Sequence, residues 1–130
     1  MHLKSKTVQI NKSSEEIFNF LSDVGNFKQI MPESIQKFEK INQDRFLFQL
    51  KGMPEIILEK KEETPFQELI FGAVSDKIPF TLKASICNLE VNKSEFHLDF
   101  DGVFNAMMSM MIKSPIQNFI NTLSDNMEQL

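Results

Sequence analysis

Apolar residues recur at helical spacing in two stretches, residues 13–32 and 105–130, and alternate with polar residues along most of the chain between them. Residues 3–10 are extended in character and end in Thr7-Val8-Gln9-Ile10. Ser13 and Glu16 then stand at capping-box spacing. Ile17, Phe18, Leu21 and Val24 follow on one helical face, and Gly25-Asn26 breaks that helix. A second short helix carries Phe27, Ile30 and Met31. Pro32 ends it, because the residue before a proline is pushed out of the helical region.

From Ser34 to Val103 the pattern predicts strands. Residues 35–41 form the first, with a turn at Asn42-Gln43-Asp44. Phe46, Phe48 and Leu50 alternate with Arg45, Leu47, Gln49 and Lys51. Gly52-Met53-Pro54 separates this strand from residues 55–64, and Pro65 separates those from 66–75. Ile78, Phe80, Leu82, Ala84 and Ile86 alternate with polar neighbours. After a turn near Asn92-Lys93-Ser94, so do Phe96, Leu98 and Phe100. Short connections argue for antiparallel neighbours, and single apolar faces for a sheet covering its core on one side.

Residues 105–130 read as a long helix with Ile112, Ile116, Phe119, Leu123 and Leu130 in one stripe. Pro115 is either a kink in a continuous helix or a fresh start capped by Ser114, with Gln117 at capping-box spacing. The stripe keeps phase across the proline, which favours the kink. At about 100° per residue, Met108 falls within the stripe and Met111 flanks it. Met107 lies to one side, and Met110 points roughly opposite. Methionine fills irregular apolar space without fixing one shape, so these four suggest a cavity wall or an adaptable contact surface.

Composition narrows the classes. The chain has 130 residues, with 42% hydrophobic and 25% charged, which fits one globular domain spanning 1–130. Its net charge of −4 argues against a nucleic-acid partner. It has 13 Phe and no Trp or Tyr, so an apolar interior would be short of side-chain donors. One cysteine, Cys87, excludes an internal disulfide. No secretory leader is visible and no apolar run is long enough to span a membrane, so a cytoplasmic protein without stable membrane insertion is expected.

Catalytic and cofactor signals are weak. Glu95, His97, Asp99 and Asp101 share one strand face and could in principle hold a metal or run acid–base chemistry. They lie opposite Phe96, Leu98 and Phe100, on the face expected to meet water. Cys87 has only His97 as a conceivable base. Glu59 and Glu68 are scattered in strands. There is no glycine-rich phosphate loop, no nucleophile elbow and no Cys/His metal spacing, so no cofactor is expected.

The stretch Thr7 to Leu21, then Gly25 to Pro32, then Pro115, Phe119, Ile120 and Leu123 resembles the opening strand and helix, second helix, and closing helix of the START-like, helix-grip superfamily. This group is also known as polyketide cyclase/dehydratase and lipid-transport proteins. The resemblance implies an α+β fold: a curved antiparallel sheet of about six or seven strands wrapped around a long C-terminal helix, with two short helices after the first strand. It also implies a cavity between sheet and helix that takes a lipid or other hydrophobic small molecule. The wall expected for that cavity is Phe48, Phe71, Phe80, Leu82, Phe96, Leu98, Phe100, Met108, Met111 and Ile112, the alternative being an interior closed and filled by side chains. Non-catalytic binding is the first expectation. A cyclase, dehydratase or hydrolase would need an ionisable group pointing inward, and none stands out. A protein-interaction module is the third, with Met107 and Met110 flanking a portal or forming a contact with another chain, including a second copy in a homodimer.

Overall fold

Local chemistry starts the first helix. In the computed structural model, which describes residues 1–74 and 78–130, the Glu16 N–H donates to Ser13 Oγ at 3.1 Å. The Ser13 N–H donates to Glu16 Oε1 at 3.3 Å, closing the capping box. Helix α1 (Ser14–Ser22) buries Ile17, Phe18 and Leu21. It stops earlier than Gly25-Asn26, because the Asp23 carboxylate accepts from the Gly25 N–H at 3.1 Å and its carbonyl from the Asn26 N–H at 2.9 Å. A short polar side chain that bonds its neighbours' backbone competes with the helix. Gly25 and Asn26 therefore lie inside a 3-10 helix, Val24–Gln29, and do not separate two helices. Phe27, Ile30 and Met31 are buried as expected.

The strands are β1 (His2–Lys4), β2 (Val8–Ile10), β3 (Lys37–Lys40), β4 (Arg45–Gln49), β5 (Ile56–Thr64), β6 (Glu68–Ala73), β7 (Phe80–Glu90) and β8 (Lys93–Gly102). They form one 8-stranded antiparallel sheet in the order β1-β8-β7-β6-β5-β4-β3, with β2 also on β8. β3 starts later than residue 35, whose N–H is spent on a turn to the Pro32 carbonyl at 3.1 Å. The expected strand 66–75 is β6; Ser75 lies outside the described residues. The register slips between Lys60 and Glu62 in β5 and between Asn88 and Glu90 in β7. Such bulges bend a strand and raise its twist, which helps the sheet curl.

The extended segment 3–10 is split in two. Ser5 is buried between β1 and β2, where its N–H donates to the Leu98 carbonyl at 2.8 Å. Its Oγ accepts from the Leu98 N–H and from Ser124 Oγ, both at 2.8 Å. A side chain thus stands in for backbone pairing at the break, and it reaches the closing helix.

That helix, α2 (Ala106–Glu128), runs unbroken through Pro115. Its buried residues are Ile112, Ile116, Phe119, Ile120, Leu123, Ser124 and Met127. Leu130, expected on this stripe, lies beyond the helix end and is exposed; Met127, one turn after Leu123, fills that place. Phenylalanines join the layers. Phe48 of β4 stacks on Phe119 of α2 with centroids 5.1 Å apart, and Phe27 stacks on Phe46 at 4.7 Å. The sheet therefore grips the C-terminal half of α2, while Met107, Met110 and Met111 at its start stay exposed.

Candidate functional site

At the open end of this grip lies an apolar cleft of about 370 Å³. Met108, Met111, Ile112 and Pro115 of α2 form one side. Lys51, Gly52, Met53 and Pro54 of the β4–β5 connection and Ile78 before β7 form the other. Asn105 caps α2 by accepting the Met108 N–H at 2.8 Å, which fixes where the methionines begin. Gly52 has φ +78°, a conformation that suits glycine, and it turns the chain so that Met53 meets the helix. Met53 is held there by its N–H to the Leu50 carbonyl and by Gln49 Nε2 donating to its own carbonyl, each at 3.0 Å. Pro115 has no N–H, so the Met111 carbonyl lacks its usual partner one turn on.

The foot of the helix is tightly set. A Cβ on Gly102 would fall 2.5 Å from the Phe104 ring and 2.9 Å from the Pro79 carbonyl, so only glycine lets Phe104 fold back there. Phe104 lies 6.1 Å from Phe100, which in turn lies 4.7 Å from Phe80.

Of the ten expected wall residues, Met108, Met111 and Ile112 come together in this cleft. Phe48, Phe71, Phe80, Leu82, Phe96, Leu98 and Phe100 instead sit in the contiguous core, most of them almost fully enclosed by other side chains. The cleft residues that the pattern did not single out are Lys51, Gly52, Met53, Pro54, Ile78 and Pro115. The signal was present in Gly52-Met53-Pro54, an apolar methionine inside a turn, but its approach to α2 is a tertiary event. A larger hollow of about 570 Å³ lies where Lys12, Glu16 and Phe20 face Met127 and Leu130. It is more open and more polar.

The other candidates pair with neighbouring side chains or lie exposed. Asp99 departs from the expected wet face: it is buried, with Oδ1 3.0 Å from His2 Nε2 and Oδ2 3.0 Å from His97 Nε2. His2 Nδ1 lies 2.8 Å from Asp101 Oδ1. His2 thus bridges Asp99 and Asp101 through its two ring nitrogens and ties β1 to β8. Cys87 is exposed. Glu59 pairs with Lys61 at 2.7 Å and with Arg45, and its carboxyl is held below the usual range by those two hydrogen bonds, Lys61 first. Glu68 lies 3.9 Å from Lys83. Among the described residues no group of three or more His, Cys, Asp or Glu is placed to hold a metal ion, and no helix is long and apolar enough to cross a membrane.

No protein-family model and no curated protein matches the chain. Solved structures do. A START superfamily protein from Mycobacterium smegmatis is similar with a TM-score of 0.68 and 17% identity, covering 98% of this chain and 97% of that one. Norcoclaurine synthase from Thalictrum flavum, in complex with dopamine and hydroxybenzaldehyde, is similar with a TM-score of 0.73 and 9% identity, over 99% of this chain and 84% of that one. The Aha1 dimer from Colwellia psychrerythraea is similar with a TM-score of 0.65 and 12% identity, over 98% and 96%. The fold is START-like, a helix grip, as the arrangement of sheet and α2 had indicated.

Proposed function

We propose that the protein binds a hydrophobic small molecule or lipid in the cleft between the first turns of α2 and the β4–β5 connection, without catalysis. The observation that carries this reading is the cleft itself. Its size is that of a small-molecule site, and its walls are methionine, proline and isoleucine. Burying ~200 Å² of apolar ligand surface there contributes roughly 5 kcal/mol before the costs of ordering. Flexible Met108 and Met111 adapt to the shape of the guest. Lys51 at the rim is the ionisable side chain of the described lining, and it suits the polar end of an amphiphile. A START-like protein from another source, norcoclaurine synthase, has been seen with two small aromatic molecules, which supports small-molecule binding on this scaffold.

The core behind the cleft is packed with phenylalanine, so the guest sits at the mouth and deepens the site by moving the first turns of α2. These turns are the gate, hinged where Pro115 interrupts the helical hydrogen bonds. Native mass spectrometry of freshly purified protein, followed by solvent extraction, should release a discrete apolar compound. Titration with an environment-sensitive apolar dye should then give saturable binding. Met111→Asp should weaken that binding at least tenfold with an unchanged unfolding midpoint, since Met111 is 70% exposed. Unchanged dye affinity in this variant would remove the cleft as the site.

A further inference from the structure

We infer that the exposed face of the first two turns of α2 docks on an anionic lipid surface. Met107, Met110 and Met111 recur at i, i+3 and i+4, so they share one face, turned away from the buried Ile112 side. They are 74%, 82% and 70% exposed, and Val103 just before the helix is 88% exposed. A contiguous apolar surface of this kind marks an interaction site.

Charge selects the partner. The chain carries 18 acidic residues and a net charge of −4, yet from Gly102 through Ser124 its only charged residue is Lys113. Lys113 borders the methionine face on one side. Lys51, across the cleft, borders it on the other, and both are exposed. An apolar helix face flanked by Lys51 and Lys113, on a helix segment that carries no carboxylate, complements phosphate head groups. A second copy of the chain fits less well: a two-fold contact through this face would set Lys113 against its own equivalent, with no acidic residue in the segment to offset it.

The mode is peripheral. Thioether side chains enter the head-group boundary, lysine stems lie along it with their ammonium groups in the polar layer, and no Trp or Tyr anchors the face more firmly. Docking is therefore shallow, reversible and salt-sensitive. Met111 belongs both to this face and to the cleft, so a docked molecule faces its cleft toward the bilayer. The inference goes beyond the cleft reading and does not need it, because vesicle binding is measured with no ligand added.

The test is vesicle flotation of the full chain. Vesicles of phosphatidylcholine with phosphatidylglycerol, and of phosphatidylcholine alone, are compared at low and high salt. The protein should float with the phosphatidylglycerol vesicles, lose most of that binding at high salt, and stay behind with phosphatidylcholine alone. Met107→Asp/Met110→Asp should reduce binding at least tenfold, as should Lys113→Glu. Both substitute exposed positions, and unchanged circular dichroism and unfolding midpoint check the fold. Dye affinity of the cleft, read without vesicles, should survive Met107→Asp/Met110→Asp, which separates failure of docking from failure of the cleft. No flotation with phosphatidylglycerol vesicles, or equal flotation of the double variant, overturns the inference. So does a dimer in light scattering that the double variant dissociates, which would assign the face to a second copy.

Discussion

Ser5 is small, buried and close to saturated with hydrogen bonds. Its Oγ accepts from Leu98 N–H and Ser124 Oγ and donates to the Lys6 carbonyl at 3.0 Å. Removing it leaves the Leu98 N–H without an acceptor where water does not reach, and an unsatisfied buried donor costs about 1–3 kcal/mol. Ser5→Ala should lower stability in urea unfolding by that amount. Ser124→Ala should cost less, since its hydroxyl is the donor and Ser5 keeps its other partners. The double variant should cost less than the sum of the two, because both share one bond. Strict additivity would show that the two hydroxyls do not act as a pair. The His2 clamp on Asp99 and Asp101 is a contrast: His2 is mostly exposed, and surface pairs of this sort contribute little.

At the scale of elements, α2 is one continuous helix that lacks a hydrogen bond at Pro115. From Ile112 onward it packs on the core, while Met107, Met110 and Met111 at its start are exposed. Pro115→Ala supplies an N–H for the Met111 carbonyl and removes the ring from the helix interior, a change worth up to ~3 kcal/mol in an exposed helix. The variant should unfold at higher temperature and should admit the apolar dye more slowly in stopped flow, since the gate now moves against an intact helix. Unchanged entry kinetics in a stabilised variant would mean that the gate lies elsewhere. Elements were legible in the sequence where their cause is local. The Ser13–Glu16 box, the turn at Asn42, and the phase of Ile112, Ile116, Phe119 and Leu123 all came through. They failed where the cause is distant or terminal. The break at Ser5 depends on Ser124, at the far end of the chain. Leu130 keeps the helical phase of its stripe, but the helix ends before reaching it. Three of the cleft residues follow from spacing on α2 alone, whereas Met53 and Ile78 reach the cleft only when loops from separate strands converge.

At the scale of the whole molecule, exposed ion pairs give stability a small pH dependence whose sign follows from the partners. The Glu59 carboxyl is depressed by hydrogen bonds from Lys61 and Arg45, and that of Asp23 by the hydrogen bond from Lys40 and then by the Gly25 N–H. A folded-state value below the unfolded one gives stability that is present above the unfolded value and lost as pH falls through the folded one. Lys37 has the opposite sign: it is raised, chiefly by its hydrogen bond to Glu55, so its contribution is complete below the unfolded value and lost as pH rises through the folded one. The unfolding midpoint should therefore be flat near neutrality and decline at both ends. Glu59→Gln should lower the plateau slightly and make the acid decline shallower. An unaltered acid limb would show that Glu59 does not contribute to it.

The placement of β1 and β2 on β8 also dictates when the molecule can be completed. Both strands leave the ribosome well ahead of Lys93–Gly102, their one strand partner among the described residues. At ~5–20 residues per second, they wait on the order of ten seconds for it. In that interval β2 presents Val8 and Ile10 with open backbone groups, and the nascent chain is most exposed to wrong pairing. Helix α2, made after β8, then covers β2 and β8 and brings Ser124 to Ser5. Residues 2–10 are thus secured by β8 and α2, made much later, and a ribosome that stalls before β8 holds β1 and β2 without that partner.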